Sequence, residues 1–174
     1  MDDRHWREAL DRMRRAKDEA FRRDEGSPIP PHERRSFTGL SYFPPDPRYR
    51  FEAELVEEPR KTLDIQRSGG DVVRYVRLGH FALRLPDGDV RLAFYETDGH
   101  GFLPFRDATS GKQTYGAGRY LDPEQLPDGR HEVDFNLAYN PFCAYNEAYS
   151  CPFPPPENWL KVPVPAGEKT YGGH

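Results

Sequence analysis

Long apolar runs are absent from this chain of 174 residues, and none comes near the roughly 20 residues that a membrane-spanning helix requires. No apolar segment follows the charged start Met1–His5, so the sequence predicts neither a signal peptide nor a membrane anchor, and we expect a cytoplasmic protein. A large excess of charge of one sign is also absent, because 25 Lys and Arg residues nearly balance 29 Asp and Glu residues, for a net charge of −4. This mild, mixed charge gives no support for nucleic acid or an anionic membrane as a partner.

Cysteine is nearly absent, with only Cys143 and Cys151 in the chain. Their spacing fits no zinc pattern, which would need two-residue gaps and further ligands. A reducing cytoplasm disfavours a permanent disulfide between them, although a reversible thiol pair stays open. Three possible metal ligands also alternate in Glu96–His100, but Gly99 and Gly101 favour a turn there, and no metal site is predicted.

Aromatic residues, proline and glycine are abundant instead. The 13% of aromatic residues argue against disorder although the hydrophobic fraction is only 36%, because large rings bury much area with few residues. The 18 prolines and 15 glycines predict many turns and irregular connections. The length is that of one domain, and no linker divides residues 1–174.

One long helix is predicted over residues 3–24. Apolar residues recur there at spacings of three and four against a charged face, and Gly26 with the prolines that follow it ends the pattern. Most amphipathic helices pack such a stripe on their own domain, and the alternative is a helix that joins two copies in a homodimer. The stripe consists of Trp6, Ala9, Leu10, Met13, Ala16, Ala20 and Phe21.

After residue 50 the apolar residues recur with a period of two, which is typical of strands. Two hairpin turns, Ser68–Asp71 and Pro86–Asp89, separate the first three long strands. Further strands are predicted from Thr114, over residues 131–138 and over residues 160–164. Six to eight short strands with one leading helix predict a mainly β fold, an antiparallel sandwich or small barrel.

The loop Thr109–Arg119 is a candidate anion site. It has three glycines, three hydroxyl side chains besides Tyr115, and two cations. Glycines let backbone N–H groups approach an anion, and hydroxyls with an arginine complete a cradle for phosphate or carboxylate. A Walker loop is excluded, since its Gly-Lys-Ser/Thr ending is absent. The alternative is a plain loop that enters a strand through a glycine bulge.

Asp134 and Asn136 stand two apart on a predicted strand and therefore share one face, opposite Phe135. If Phe135 faces the core, both polar side chains are exposed. In a barrel they would face a polar lumen, where Arg106 or Arg119 would pair with the carboxylate, because an unpaired buried charge is very costly. An Arg–Asp pair with a purely structural role is favoured over one with a catalytic or binding role.

Asn140 and the proline after it have the pattern of a helix start, with asparagine as N-cap. That pattern puts Cys143 at the third position of a short helix, where the helix dipole would lower the pKa of its thiol. The thiol is then a candidate nucleophile, whose histidine partner the sequence does not identify. A buried cysteine that packs as a small apolar side chain is the commoner case.

Three segments also resemble a known family. They are Thr109–Leu121 with the pattern TSGxxTYGxGRYL, Asp134–Tyr145 with DFNxAYNPxCAY, and Cys151–Pro155 with CPxPP, and the upstream Phe37–Pro44 fits as well. Together they resemble an uncharacterised bacterial and archaeal family known as a domain of unknown function. The resemblance covers nearly the whole chain and implies no activity and no cofactor.

Two classes of function stay open. The first is a ligand-binding module for an anionic or aromatic small molecule. A flavin or another phosphorylated cofactor is a special case that rests on fold analogy. The sequence does not identify a cofactor. The second is an enzyme that uses Cys143, or Asp134 with Arg119, as its reactive groups. We expect most of the polar groups to converge on one pocket, since isolated polar residues among aromatics are costly to bury. The predicted ligand-binding side chains are Arg106, Asp107, Ser110, Tyr115, Arg119, Asn136, Tyr139, Asn140 and Tyr145.

Overall fold

The computed structural model describes residues 1–172, and within them strands dominate. No helix in this part of the chain is long and apolar enough to cross a membrane. In chain order the main elements are α1 (Asp3–Arg23), β1 (Arg50–Ala53), β2 (Val56–Gln66), β3 (Val72–Leu85), β4 (Gly88–Thr97), β5 (His100–Phe105), β6 (Arg119–Leu121), β7 (Glu124–Gln125) and β8 (His131–Asp134). Short 3-10 helices span Pro31–Ser36, Pro47–Tyr49, Phe135–Leu137, Phe142–Ala144 and Pro156–Asn158.

The strands form two antiparallel sheets. One has the order β1-β8-β7, and the other is a meander in the order β2-β3-β4-β5-β6. The pairing of β1 with β8 places Arg50 opposite Asp134, which brings the start of the strand region next to its end. The predicted mainly antiparallel β fold with one N-terminal helix is confirmed, and the two open sheets fit a sandwich or an open barrel.

Aromatic rings fill the core between the sheets. Phe81 and Phe94 pack on His131 of β8, with ring-centroid distances of 5.4 and 5.3 Å. Phe105 meets Phe135 edge-on at 5.4 Å. Because each aromatic side chain buries about 150–250 Å², a chain with few aliphatic residues still builds a core.

The proline-rich segment 151–159 packs against the five-stranded sheet. Tyr120 donates its hydroxyl to the Pro152 carbonyl. The amide of Asn158, which is fully buried, accepts from the Ala93 N–H at 2.8 Å and donates to two main-chain carbonyls. These side chains supply hydrogen bonds that a segment rich in proline lacks the N–H groups to make.

Helix α1 packs its apolar stripe on the chain's own body. Asp2 caps its N-terminus, and Trp6, Leu10 and Phe21 are buried. The indole N–H of Trp6 donates to Asp134 Oδ2 at 2.7 Å. The helix is therefore attached to the end of β8 by a hydrogen bond to a carboxylate as well as by its buried apolar side chains.

The strand predicted from Thr114 begins later, at Arg119. The residues before it form a loop, because the Thr114 N–H turns back to the Thr109 carbonyl at 3.1 Å. Gly111 and Gly118 have φ values of 80° and 107°, in the left-handed region that glycine adopts without strain. Local turn chemistry therefore replaces the first half of the predicted strand.

One further strand is shorter than predicted, and another is absent from the described residues. Strand β8 ends at Asp134, because its carboxylate accepts the Asn136 N–H at 2.9 Å and the chain turns into a 3-10 helix. Asp134 and Asn136 thus do not share a strand face. Residues 160–164 run beside residues 106–108 without forming a strand, since Pro163 has no N–H to donate.

We expect Trp6→Phe to lower the free energy of unfolding by about 1.5–3 kcal/mol, because it removes a hydrogen bond to a charged group and keeps an aromatic ring. Urea denaturation measures this loss. The matched control is Trp159→Phe, which removes a bond to the neutral Pro154 carbonyl at an exposed position and should cost about 0.5–1.5 kcal/mol. Equal losses in the two variants would contradict the role given to the Trp6–Asp134 bond.

Candidate functional site

A cavity of about 260 Å³ lies beneath α1, between the helix and the ends of β6 and β8. We call it the helix cavity. A second cavity of about 330 Å³ shares four lining residues with it and extends the groove towards Trp6. The helix cavity is lined by Met13, Arg14, Lys17, Tyr42, Leu121, Asp122, Pro123, Glu132, Asp134, Leu137 and Tyr139.

The charged residues of the helix cavity divide by sign between two walls. Arg14 and Lys17 come from α1, one helical turn apart, and form the cationic wall. Asp122, Glu132 and Asp134 come from the strand side and form the acidic wall. No ion pair within residues 1–172 joins the two walls directly.

Arg14 is held by main-chain carbonyls and by an aromatic ring. Its guanidinium donates to the carbonyls of Phe43 and Asn136 at 3.2 and 3.3 Å. It also stacks on Tyr42, with 4.3 Å from Cζ to the ring centroid. Burial lowers the pKa of Arg14, and it raises the pKa of the Tyr42 hydroxyl. The geometry of Arg14 is thus fixed, while no carboxylate within residues 1–172 forms an ion pair with it.

Lys17 connects the helix cavity to a buried carboxylate, Glu168, which lies 3.2 Å from its Nζ. Glu168 is 1% exposed and also accepts the Tyr145 hydroxyl at 2.8 Å and the Asn140 N–H. Burial, followed by the charge of Glu168, raises the pKa of Tyr145. On its other side Lys17 lies 5.3 Å from the Tyr139 ring centroid. Two of the predicted binding residues, Asn140 and Tyr145, therefore hold Glu168 behind the cavity.

The carboxylates of the acidic wall differ in their partners. Asp134 is 2% exposed and accepts from Trp6, and from the main-chain and side-chain N–H groups of Asn136. Asp122 accepts the Tyr139 hydroxyl at 2.8 Å. Glu132 is half-buried, and burial followed by repulsion from Asp134 raises the pKa of its carboxyl. Burial raises the pKa of Asp122 as well, but Glu132 differs from the other two in that its carboxylate accepts no hydrogen bond within residues 1–172.

Arg119 lies in the interior, away from the helix cavity. Its fully buried guanidinium donates to three main-chain carbonyls in Val164–Glu168 and to Asp107 Oδ1 at 3.4 Å. Asp107 also accepts the Val164 N–H at 2.6 Å and the Thr109 hydroxyl at 2.7 Å. Loss of water lowers the pKa of Arg119, and Asp107 opposes this effect. The pair joins β6 to the C-terminal segment.

The other predicted binding residues lie in separate places. Arg106 is half-buried and stacks on Trp159, with 4.9 Å from Cζ to the ring centroid. Ser110 accepts a main-chain N–H of its own loop at 3.1 Å. The Tyr115 hydroxyl lies 3.6 Å from Cys143 Sγ. The predicted residues thus do not form one pocket.

Cys143 and Cys151 are free thiols that contact each other, and each is 9% exposed. The Cys143 N–H donates to Cys151 Sγ at 3.4 Å. Hydrogen bonds from Cys151, Tyr115 and Ser68 lower the pKa of the Cys143 thiol to about 6, against the effect of burial. The bond to Cys143 and burial raise the pKa of Cys151.

The predicted cause of an acidic Cys143 is wrong, because the helix around it is too short. It is a 3-10 helix of three residues, Phe142–Ala144, and its N-cap is Pro141. The Asn140 side chain instead donates to the Lys169 carbonyl at 3.0 Å. Side-chain hydrogen bonds, and not a helix dipole, therefore favour the thiolate.

Of the predicted site residues, Asp134 and Tyr139 line the helix cavity and Asn136 lies next to it, whereas sequence reasoning named neither Arg14, Lys17 nor Glu132 as a site residue. One signal could have revealed Lys17. The apolar stripe of α1 runs through Trp6, Leu10 and Met13 to Phe21, and Lys17 occupies the position in the stripe that follows Met13. A lysine at a core-facing position needs a buried acceptor, and here it is Glu168.

The fold and the site define a β-protein of two antiparallel sheets with a charged cavity under its N-terminal helix. The chain belongs to the family described as "Protein of unknown function (DUF1684)", which matches residues 35–169, so the predicted family resemblance is confirmed. It is similar to the uncharacterized protein from gene locus rrnAC0354 of Haloarcula marismortui, whose structure was solved by solution NMR. The two chains are 42% identical over 98% of this chain and 97% of that chain, with a TM-score of 0.71. No curated protein matches this chain.

Arg119→Met should lower the free energy of unfolding by about 3–5 kcal/mol, because it leaves the Asp107 carboxylate buried without its cation. Arg119→Lys keeps the charge but loses the guanidinium fork, and an intermediate loss is expected. Arg106→Met is the matched control, since it removes only a stacked surface cation worth about 0.5–1 kcal/mol. Urea denaturation compares the three variants, and a cost for Arg119→Met no larger than that of the control would refute the architectural role.

Proposed function

We propose that this protein binds a small zwitterionic molecule, one that carries both a carboxylate and an amino group, in the helix cavity. The supporting observation is the separation of charge across that cavity. Arg14 and Lys17 face the three carboxylates of the acidic wall without a direct ion pair between the walls. Opposite charges that are brought together only for stability normally close into contact, because desolvation is then repaid by direct attraction. A ligand with two charges would bridge the walls.

The volume of the cavity supports a small ligand. Cavities that hold drug-sized molecules measure about 300–1,000 Å³, and the helix cavity has about 260 Å³. A free amino acid with an aliphatic or aromatic side chain is smaller than a drug-sized molecule and suits a cavity of this smaller volume. The apolar part of the wall comes from Met13, Leu121 and Leu137, with the rings of Tyr42 and Tyr139 beside them.

A phosphorylated cofactor such as a flavin nucleotide suits the helix cavity less well. Its phosphate would lie within reach of three carboxylates, and like charges at close range are unfavourable. The loop Thr109–Arg119, where an anion cradle was expected, directs the guanidinium of Arg119 into the interior. The anionic group of the ligand is therefore assigned to the cationic wall of α1.

Asp134 has a positioning role in this proposal. Both of its oxygens already accept hydrogen bonds, one from Trp6 and the other from Asn136. These bonds fix the orientation of the carboxylate. Glu132, which is half-buried beside it, is the carboxylate proposed to receive the amino group of the ligand.

Isothermal titration with leucine and two analogues tests the proposal. One analogue, 4-methylpentanoate, lacks the amino group, and the other, 3-methylbutylamine, lacks the carboxylate. We expect leucine to bind at least tenfold more tightly than either analogue, a difference of about 1.4 kcal/mol, because only leucine contacts both walls. At a leucine concentration 100 times its Kd, thermal unfolding should show a stabilisation of about 2.7 kcal/mol. Phenylalanine with its two corresponding analogues extends the series to an aromatic ligand.

Three variants locate the binding site. Met13→Trp should fill the cavity and abolish binding of leucine without removing a charge. Glu132→Gln should weaken leucine but leave 4-methylpentanoate unchanged, and Glu57→Gln, at an exposed strand position, is its matched control. Leucine binding that is unaffected by Met13→Trp would exclude the helix cavity as the site. An analogue that binds as tightly as leucine would exclude a zwitterion as the ligand class.

A homodimer through α1 and a cytoplasmic location stay predictions. The apolar stripe of α1 is already used within the chain, and Met13, which is 46% exposed at the helix cavity, is the large apolar side chain of the helix that solvent reaches most. Gel filtration with light scattering of the wild type and of Met13→Lys tests the dimer. A monomer in both would contradict it.

A further inference from the structure

The two cysteines form a site of their own, built from three segments of the chain. Ser68 in the turn between β2 and β3 accepts the Cys151 N–H at 3.0 Å, and its own N–H donates to the Cys151 carbonyl at 2.9 Å. Cys143 comes from the 3-10 helix that follows residue 141, and Tyr115 comes from the loop before β6. We call Ser68, Tyr115, Cys143 and Cys151 the thiol site. It shares no residue with the lining of the helix cavity.

The hydrogen bonds of the thiol site are arranged around one sulfur. Cys143 Sγ receives the Cys151 thiol, and the Tyr115 hydroxyl lies 3.6 Å from it. The Ser68 hydroxyl donates to the Tyr149 carbonyl at 3.4 Å and joins the site by accepting the Cys151 N–H. The Cys143 N–H, in turn, donates to Cys151 Sγ. A sulfur that accepts from several donors is stabilised as the thiolate, which is the reactive form of cysteine. A cysteine that serves only as an apolar core residue has no need of these donors.

Exposed aromatic rings flank the two thiols. Phe142 precedes Cys143 and is 40% exposed, and Tyr149 and Phe153 on either side of Cys151 are each 37% exposed. The rings of Phe142 and Tyr149 are in edge-on contact, with 5.3 Å between their centroids. Large exposed rings next to a reactive group are typical of a surface that receives an apolar or aromatic molecule.

We propose that Cys143 and Cys151 form a dithiol site that reduces low-molecular-weight disulfides, with Cys143 as the attacking thiol and Cys151 as the resolving thiol. The aromatic rings favour disulfides that carry an aromatic or apolar group. This activity is independent of the ligand proposed for the helix cavity.

The chemistry proceeds in two exchanges. The Cys143 thiolate attacks one sulfur of R–S–S–R, which forms a Cys143–S–S–R bond and expels RS⁻. Cys151 then loses its proton and attacks Cys143 Sγ, which forms the Cys143–Cys151 disulfide and expels the second RS⁻. The two leaving thiolates take up two protons, so the net change is two electrons and two protons from the protein dithiol to two molecules of RSH.

The hydrogen bond between the thiols sets the order of the two exchanges. While Cys143 is a thiolate, the shared hydrogen bond raises the pKa of Cys151, with burial and the charge of Cys143 acting in the same direction, and Cys151 therefore stays protonated. Once Cys143 enters a mixed disulfide its negative charge is gone, and this cause of the high pKa is removed. Cys151 becomes reactive only after the substrate is attached.

Dithiodipyridine, a neutral aromatic disulfide whose product absorbs light, is the probe. The wild-type protein is expected to release two thiopyridone molecules per chain, retain none, and lose the mass of two hydrogens. Cys151→Ser should release one and retain one as a stable adduct, and Cys143→Ser should react at least tenfold more slowly. Near-UV circular dichroism confirms that each variant is folded.

The pH dependence of the first exchange supplies a readout that a structural role would not change. The rate in the wild type should rise with pH through a midpoint near the Cys143 pKa of about 6. An ordinary cysteine would give a midpoint near ~8.5. Cys151→Ala and Tyr115→Phe each remove a donor and should move the midpoint upwards, whereas Cys151→Ser keeps an O–H donor and should move it less.

Two results would overturn the proposal. One is a wild-type protein that retains two thiopyridine adducts, because resolution by Cys151 would then not occur. The other is reaction of both thiols only in urea, at the rate of the unfolded chain, which would make them packed core residues. Neither result bears on leucine binding in the helix cavity, so the two proposals fail separately.

Discussion

The buried guanidinium of Arg119 is the interaction on which much of this structure depends. Its donors are directed to the carbonyls of Val164–Glu168, and the nearby Asp107 carboxylate balances its charge. This contact draws an irregular C-terminal segment into the interior, where its main-chain oxygens would otherwise lack partners. Because the segment lies there, Glu168 reaches Lys17 of α1 and the Tyr145 hydroxyl. One arginine on β6 thus positions the carboxylate that receives the helix.

Local signals in the sequence predict much of the fold. The apolar stripe through Trp6, Leu10 and Phe21 identifies α1, and the turns at Ser68–Asp71 and Pro86–Asp89 identify the hairpins, because periodicity and turn chemistry act over a few residues. The errors arise where a side chain competes with the backbone. The Asp134 carboxylate accepts the main-chain and side-chain N–H groups of Asn136, and β8 ends there.

The candidate sites were less predictable, because they join segments that are distant in sequence. Arg14 meets Tyr42 and the carbonyl of Asn136 only after α1 has packed against the strands. No local sequence pattern predicts that arrangement, apart from the lysine in the apolar stripe of α1. At the thiol site, the spacing of the cysteines allowed a pair, but their hydrogen-bond partners Ser68 and Tyr115 come from other parts of the chain.

The way in which α1 is attached has a consequence for its dynamics. Side chains hold it in place, and within residues 1–172 no main-chain hydrogen bond joins it to a strand. Its own hydrogen bonds are internal, so it can lift from the sheets as an intact unit while the strand ladders stay paired. This opening costs less free energy than global unfolding and exposes the cationic and acidic walls together. A molecule bound between the two walls would contact both the helix and the strands, and it would therefore oppose this opening.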